Sequence, residues 1–475
     1  MYASLAPSPP IRVSVRSPEE RVAANKAKHR RYRERRKLRQ QDSTAGITII
    51  FRLEDPAAKE RPACQNKLRV LGNPIRVPAV TQHYKEVDEQ FREEVLSDLR
   101  RTIEEKTFKC GQWGHINVTE MCKLLQRAIP PQTSQCSVTL SEPPVASIEA
   151  LFLSSEDALK LFESHKTIDV PLFTRAKEIF EIHSHKRPVE QLFEWLRDDD
   201  QKICVNIPSR SSKCGSFDRK SMREVKERFL SKAAVDDPWN VLDFGFPLLK
   251  EALPEFLTAW DCSLLAAVFK TLVDPGSAQR TVGKAKDVAE WRDLEKWVLL
   301  AEAGALTLPH QDSSGYSTWI SVYEGEFGFG WLSRPTEEEL GHWQRDPWDY
   351  GRGRWRYVVL RPGKTVFFPS GTVHFVFRLG KGGRQTMAIG GHILRWSCAD
   401  DWLQVLLNQL RHPNTTNEDV RRTAQKYFRA VSGLIDREER KGNTEQLGGP
   451  ERLTRFRQYQ EVHLSTAPRL VVKTH

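Results

Sequence analysis

The sequence predicts an α+β protein in which short β-strands form a sandwich or barrel and helical regions flank it on both sides. Segments rich in β-forming residues recur between residues 297 and 389, and turn residues separate them at intervals of about 8 to 12 residues, as is typical of sandwiches and barrels. Apolar residues at helical spacing lie before and after this stretch. The chain has 475 residues, which is long enough for two or three domains.

The first two predicted strands differ in pattern. Residues 297–302 (WVLLAE) form a short apolar run, which indicates a buried strand or the end of a helix. Residues 317–323 (STWISVY) alternate and are rich in β-formers, which indicates a strand with two different faces.

Further strands follow, separated by turns. They are predicted at residues 357–360, 365–368, 375–378 and 386–389. The tight turn at 369–371 (PSG) brings His374 to the start of the third of these strands. The glycine-rich segment 380–383 (GKGG) is predicted to be a hairpin loop that joins the last two.

Helical patterns lie on both sides of the predicted strands. In residues 86–99 the apolar positions recur with the period of a helix. Further helices are predicted at 189–196, 219–232, 402–410 and 417–439. The last of them opens at Asn417, which is a good helix cap. Proline-containing segments separate the helices before the strands, and we find no internal repeat.

Two histidines and one aspartate have the composition of a metal-binding site. His310 and Asp312 form an H-x-D step that presents two ligands from one short segment, and His374 follows 64 residues after His310. Two imidazoles and one carboxylate are the protein ligands of non-haem Fe(II) centres, which keep other coordination positions open. The sequence therefore predicts an Fe(II) site at His310, Asp312 and His374. The alternative is a shell of strands that binds no metal.

The region from about Asp237 to Trp396 resembles a JmjC domain, most closely those of fungal JmjC proteins. The resemblance covers about a third of the chain and rests on DPWNVLD at 237–243, TLPHQD at 307–312, Gly315 with Thr318 and Trp319, PSGTVH at 369–374 and GGHIL at 390–394. It implies a double-stranded β-helix (the cupin/JmjC barrel) and the cofactors Fe(II) and 2-oxoglutarate. The chain is then divided into a basic tail at 1–45, a helical region of unknown role at 46–235, a JmjC domain at 236–397 and a C-terminal helical region at 398–475.

One residue of the family pattern is missing from the cosubstrate site. The resemblance implies a lysine that pairs with the distal carboxylate of 2-oxoglutarate, but the matching position holds Glu326 or Phe327. A buried carboxylate needs a paired cation. We expect Arg384 to replace the lysine, because other branches of the superfamily carry an arginine there and a guanidinium can hold a carboxylate with two hydrogen bonds. Arg378 and Lys381 are the next candidates.

The resemblance assigns two more polar residues to the cofactor site. Thr307 matches a position where a hydroxyl helps to hold the same carboxylate, and its alternative role is to fill a strand. His392 falls where the family often has a polar residue near the metal pocket. It could support the metal ligands, contact the substrate or simply pack in the core. For Arg384 the alternative is a solvated residue at the end of a hairpin.

Composition and cysteine usage restrict where the protein is expected to work. The chain is 39% apolar and 28% charged, and no apolar segment approaches the length of a membrane span. The start of the chain lacks the apolar segment of a secretory signal. The eight cysteines are scattered without a C-x-x-C pair, so we expect reduced thiols in the cytosol or nucleus.

The positive charge is concentrated at the start of the chain. Residues 1–45 hold twelve basic and four acidic residues, a net charge of +8 out of +11 for the whole chain. The segment 26–39 is the most basic part, and it predicts a nuclear-import signal or a contact with nucleic acid. A solvated tail is the alternative. No leucine heptads follow, which argues against the dimeric groove binding of a leucine-zipper protein.

Two functions of different classes are consistent with the sequence. The first is an Fe(II)- and 2-oxoglutarate-dependent oxygenase of the nucleus, a hydroxylase or demethylase that acts on a protein substrate such as a histone. The second is a catalytically inactive JmjC scaffold that binds chromatin or protein partners. The intact ligand set favours the enzyme, and the missing lysine favours the scaffold. The sequence specifies neither the substrate nor the oligomeric state.

Overall fold

The structure, a computed structural model, has mixed α+β architecture, as the sequence predicts. It describes residues 75–76, 82–105, 111–131, 137–138, 148–175, 185–196, 198–207, 217–231, 237–245, 253–273, 296–416 and 420–470. The helices in these ranges are α1 (Gln82–Glu104), α2 (Gly111–Leu125), α3 (Ser155–Glu163), α4 (Pro188–Trp195), α5 (Met222–Leu230), α6 (Leu264–Val273), α7 (Glu337–Arg345), α8 (Ala399–Arg411), α9 (Arg421–Arg440) and α10 (Pro450–Leu470). The predicted tail segment 26–39 lies outside the described residues.

The described strands form one large mixed sheet, one four-stranded sheet and one two-stranded pair. They are β1 (Ile75–Arg76), β2 (Ser137–Val138), β3 (Leu151–Leu153), β4 (Leu172–Arg175), β5 (Lys202–Asn206), β6 (Phe217–Ser221), β7 (Asn240–Gly245), β8 (Trp297–Ala301), β9 (Thr307–His310), β10 (Ser317–Glu324), β11 (Phe327–Ser333), β12 (Arg354–Leu360), β13 (Lys364–Phe368), β14 (His374–Phe377) and β15 (Thr386–Ile393). The nine-stranded sheet has the order β3-β4-β13-β10-β15-β8-β7-β5-β6, and the four-stranded sheet has the order β12-β11-β14-β9. Only the β3–β4 pair in these two sheets is parallel.

From β9 onward the chain passes back and forth between the two sheets. β9, β11, β12 and β14 belong to the four-stranded sheet, whereas β10, β13 and β15 belong to the nine-stranded sheet. The predicted hairpin at 380–383 is therefore wrong, because β14 and β15 do not pair and this loop connects one sheet to the other. The strands predicted from the sequence correspond to β8, β10, β12, β13, β14 and β15, whereas β9 and β11 were not predicted.

The inner faces of the two sheets pack against each other. The rings of Phe329 on β11 and Phe368 on β13 lie 5.1 Å apart across the space between the sheets. Alternation along the strands sends every second side chain into this space. On β14, Val376 belongs to the inner cluster, while Phe375 and Phe377 point to the opposite face.

Helices cover the outer faces. Apolar residues of α1 and α2 pack against the outer face of the four-stranded sheet. α3, α4 and α5 pack against the outer face of the nine-stranded sheet. α6, α8, α9 and α10 form a separate apolar cluster with Tyr316 and Leu394. None of the described helices combines the length and the apolar character needed to cross a membrane.

The described parts of the region 46–235 contain strands as well as helices. Helices occur as predicted at α1 and α4, but β3, β4, β5 and β6 also come from this region and extend the nine-stranded sheet. The helix predicted from residue 219 begins only at Met222, since Ser221 ends β6 and caps α5 by accepting a hydrogen bond from the Glu224 backbone N–H. Strand β6 has the sequence FDRKS, whose polar residues hide its strand character.

The C-terminal region is helical, as predicted, but its caps differ. α8 contains the predicted segment 402–410 and begins three residues earlier, at Ala399. α9 begins at Arg421 with Val420 as its N-cap, and no side chain caps it. Asn417, the predicted cap, lies outside the described residues.

Candidate metal centre

The three predicted metal ligands converge at one end of the space between the sheets. His310 ends β9 and His374 begins β14, and strand pairing places the two residues opposite each other. Asp312 follows β9, with its Oδ1 3.9 Å from His310 Nε2 and 3.7 Å from His374 Nε2. One ligand atom from each of the three residues lies within 4.8 Å of the other two. A single ion can therefore contact all three.

Backbone contacts fix which nitrogen of each histidine faces the site. His310 Nδ1 lies 2.9 Å from the Leu308 carbonyl oxygen, and His374 Nδ1 lies 3.1 Å from the Thr372 carbonyl oxygen. A carbonyl only accepts, so Nδ1 carries the proton in both neutral rings and Nε2 keeps its lone pair. Both Nε2 atoms face Asp312, which is the orientation of metal-binding histidines whose other nitrogen donates to a backbone carbonyl.

Asp312 is a carboxylate placed to accept a cation. Burial alone would raise its pKa, but the nearby His374, His392 and His310 and a hydrogen bond from the Thr318 hydroxyl outweigh burial and hold the pKa below its usual value. Among the described residues no lysine or arginine lies within ion-pairing distance of Asp312. The two imidazoles and this partly buried carboxylate form a donor set that fits a divalent cation.

Helix α8 supports the loop that carries Asp312. The Gln409 side chain donates to the Asp312 carbonyl oxygen at 2.8 Å and accepts from the Gly315 backbone N–H at 3.0 Å. The side chain of Gln311 donates to the Gly371 carbonyl oxygen at 2.7 Å, which ties the loop to the turn before His374. The H-x-D segment is thus held from both sides by hydrogen bonds.

Aromatic side chains form the wall beside the histidines. The ring of His374 lies 4.6 Å from that of Phe368 and 5.8 Å from that of Phe329. Across the four-stranded sheet, strand pairing places Trp331 beside His374 and Arg356 beside Trp331. Arg356 is buried and forms two hydrogen bonds with the Glu149 carboxylate, at 2.6 and 2.9 Å.

A second polar group lies further along the same strands, between the sheets. Arg378 directly follows β14 and is buried, and its Nε donates to the Thr386 hydroxyl at 2.8 Å. The Thr307 hydroxyl accepts from the Asn240 side chain at 3.3 Å. Asn240 and Thr386 both pair in register with Ala301, so the two hydrogen bonds come from the strands on either side of β8. The Asn240 Oδ1 atom is buried without a hydrogen-bond partner among the described residues.

The structure does not bring Arg384 into this group. β15 begins at Thr386, and Arg384 lies exposed in the loop before it. Lys381 is also exposed, and its backbone N–H donates to Asp98 on α1. The buried cation is Arg378, the second candidate from the sequence. Its side chain lies on the same face of β14 as His374, since the two are four residues apart on an alternating strand.

The two residues at the position of the expected lysine have different environments. Glu326 is exposed enough to pair with Arg361, at 3.0 Å. Phe327 is buried in the inner cluster, and the guanidinium carbon of Arg378 lies 5.1 Å from the centroid of its ring. Arg378 therefore occupies the space beside the position where the lysine was expected.

His392 lies next to the metal ligands, although it does not contact the ligand atoms directly. Its Nδ1 is 2.9 Å from the Thr318 hydroxyl, which in turn donates to Asp312 Oδ2. No role was predicted from the sequence for Thr318, Gln409 or Asn240. A hydroxyl six residues after Asp312 on an alternating strand was the only local signal for Thr318, and nothing in the sequence connects the distant Gln409 or Asn240 to the site.

Similarity to known proteins assigns no family to this chain. No family model matches it, and no curated protein matches it significantly. What the protein can do is therefore inferred from its own donor atoms and their surroundings.

Proposed function

We propose that this protein is an Fe(II)- and 2-oxoglutarate-dependent oxygenase. The observation that carries the proposal is the group of two buried histidines, His310 and His374, with the partly buried Asp312, whose ligand atoms converge on one point. Two imidazoles and one carboxylate are the ligand set of non-haem Fe(II) oxygenases. With 2-oxoglutarate, iron in such a site supplies the oxidation of a substrate C–H bond by O₂.

The path of the chain supports a double-stranded β-helix around this site. From β9 to β15 the chain changes sheet at every step except from β11 to β12, and the inner side chains of the two sheets pack together. This alternation is what a double-stranded β-helix requires. The two histidines come from neighbouring strands of one sheet, while Thr318 and His392 face them from the other.

The buried Arg378 supports a site for the distal carboxylate of 2-oxoglutarate. The Cα atoms of His374 and Arg378 are separated by about 13 Å of extended strand. Because both side chains are long, the distance that a ligand must span between the metal and the guanidinium is shorter than this. Arg378 has no carboxylate partner among the described residues, and Thr307 and Thr386 offer hydroxyls nearby. We propose that Arg378, rather than Arg384, pairs with the ligand, assisted by Thr307.

A second candidate function is a metal-binding scaffold without turnover. Phe327 and Phe329 are fully buried and fill the middle of the space between the sheets. If they do not move, a keto diacid cannot reach from the metal to Arg378. In this case the domain would present a stable surface to chromatin or protein partners.

The basic tail supports a proposal about location and partners that rests on charge alone. With +8 in residues 1–45, it would direct the protein to the nucleus or contact nucleic acid through 26–39, near a protein substrate such as a histone. Deletion of residues 1–40 from a fluorescent fusion tests this. Unchanged nuclear accumulation together with unchanged, salt-sensitive DNA binding would exclude it.

Metal titration tests the proposed centre. Wild-type protein should bind Mn(II), or Fe(II) without O₂, at one site, and His310→Ala or Asp312→Ala should weaken binding by more than about 100-fold, since removal of supporting residues alone costs about 10- to 100-fold. His342→Ala is the matched control, because His342 forms an outlying pair with Asp349, at 2.7 Å. Equal affinity in wild type and Asp312→Ala would refute the centre.

A further inference from the structure

A chain of hydrogen bonds runs from His392 to the back of Asp312. Thr318 on β10 and His392 on β15 are direct partners in the strand pairing, so their side chains share one face of the sheet. The Thr318 hydroxyl donates to Asp312 Oδ2, and His392 Nδ1 lies 2.9 Å from the same hydroxyl. The other carboxylate oxygen, Oδ1, is the one that faces both metal-binding histidines.

The number of hydrogens fixes the direction of this chain. A hydroxyl has one hydrogen to donate, and Thr318 gives it to the carboxylate, which can only accept. Thr318 must then accept from His392, so Nδ1 of His392 carries a proton. A neutral His392 is therefore the Nδ1–H tautomer, and its Nε2 is left as an acceptor.

Packing holds the His392 ring in this orientation. The ring lies 5.7 Å from Trp297 and 5.3 Å from Tyr316. The indole of Trp297 also covers Gly390, two residues before His392 on the same strand, where any larger side chain would collide with it. The ring is thus confined before any ligand binds.

We propose that His392 and Thr318 are positioning residues for the metal centre. His392 donates to Thr318 and so keeps the Thr318 hydroxyl pointed at Asp312 Oδ2, which turns Oδ1 toward the metal. A freely rotating carboxylate would present either oxygen, or both, to the ion. This inference rests on the metal centre of the proposed function and does not depend on 2-oxoglutarate.

Metal affinity separates this role from a purely structural one. Thr318→Val and His392→Leu should each weaken Mn(II) binding by about 10- to 100-fold. Thr318→Ser and His392→Asn keep a hydroxyl and an N–H donor, so they should recover most of the affinity. Because His392 acts only through Thr318, the double variant Thr318→Val/His392→Leu should bind no more weakly than Thr318→Val alone. Thr365→Val is the control: it removes another buried hydroxyl, which contacts Ser321, on the adjacent strand.

Nitrogen NMR of the metal-free protein tests the proton assignment independently. Wild-type His392 should show a protonated Nδ1 and an unprotonated Nε2. The inference is overturned if NMR shows the opposite tautomer of His392. It is also overturned if His392→Leu binds metal as tightly as wild type, if the losses of metal affinity in the double variant are additive, or if the wild-type protein binds no metal. Metal binding without binding of 2-oxoglutarate would remove the proposed oxygenase function and leave this inference standing.

Discussion

The guanidinium of Arg378 lies over the ring of Phe327, 5.1 Å from its centroid, in the space between the two sheets. Its hydrogen bonds go to the Thr386 hydroxyl and to the Ala305 carbonyl oxygen, and no carboxylate among the described residues pairs with it. Burial lowers the pKa of Arg378 to about 9. A buried cation without a counter-ion destabilises the fold, so its presence is explained if an anionic ligand pairs with it.

Replacement of this arginine should separate stability from ligand binding. Arg378→Met should raise the free energy of unfolding of the ligand-free protein by about 1–3 kcal/mol at pH 7, because an unpaired buried charge is removed. Because burial lowers the pKa of Arg378 in the folded state, the wild-type protein carries the full destabilisation below about pH 9. The destabilisation decreases as the pH rises above about 9, where the folded protein loses the proton from Arg378. The same variant should weaken 2-oxoglutarate binding by about 30-fold or more.

Arg384→Met is the control for this prediction, since Arg384 is exposed. It should change neither the denaturation midpoint nor the affinity for 2-oxoglutarate. The opposite pattern, in which Arg384→Met weakens the ligand and Arg378→Met does not, would restore the expectation drawn from the sequence.

The buried ion pair of Asp261 and Arg395 should contribute to the acid stability of the fold. Asp261 is fully buried and pairs with Arg395 at 2.7 Å. Burial alone would raise its pKa, but Arg395, His165 and the Ser397 backbone N–H outweigh burial and lower the pKa to about 2. The carboxylate therefore stabilises the fold above about pH 3.8, and this contribution is lost as the pH falls toward 2.

Asp261→Asn should lower the free energy of unfolding at pH 7 by about 3–5 kcal/mol, because it leaves Arg395 unpaired. The difference from wild type should shrink between pH 4 and pH 2, as measured by urea unfolding at each pH. Asp200→Asn, at an exposed position, should stay within about 0.5 kcal/mol of wild type. A pH-independent difference for Asp261→Asn would contradict the titration.

Glycines in β11 allow two aromatic rings to lie flat on the strand. A Cβ atom at Gly330 would sit 2.0 Å from the ring of Phe375 on the neighbouring strand β14. Gly330→Ala should therefore lower the free energy of unfolding by about 1–3 kcal/mol or more, through overpacking. Gly433→Ala is the matched control in α9, where no atom lies near the added methyl, and it should raise stability by about 0.5–1 kcal/mol. Chemical denaturation of both variants tests the sign of each change.

The ligands of the centre could be read from the sequence because each lies in a short local pattern. An H-x-D step and a turn that delivers His374 to a strand are visible in a few consecutive residues. The choice between Arg378 and Arg384 depends instead on where β14 ends and β15 begins. The alternation of side chains along β14 from His374 predicts that Arg378 lies on the inner face. Arg384, in contrast, lies two residues before β15 begins.

Other features depend on contacts that no local pattern encodes. The loop 380–383 has the composition of a hairpin, yet its strands belong to different sheets, because β15 pairs with β10 and β8. β6 is mostly polar and is a strand only because it pairs with β5. Gln409 reaches the Asp312 loop from a helix 97 residues away in the chain.

The most direct test is to titrate 2-oxoglutarate into the Mn(II)-loaded protein by calorimetry without O₂. This measurement shows whether the candidate metal ligands and the polar group around Arg378 together form one cosubstrate site. The proposed function predicts one molecule bound per chain, no binding to Asp312→Ala, which lacks the metal, and weaker binding to Arg378→Met, which keeps it. If wild-type protein holds Mn(II) but binds no 2-oxoglutarate at millimolar concentration, the oxygenase proposal is wrong and the metal-binding scaffold remains.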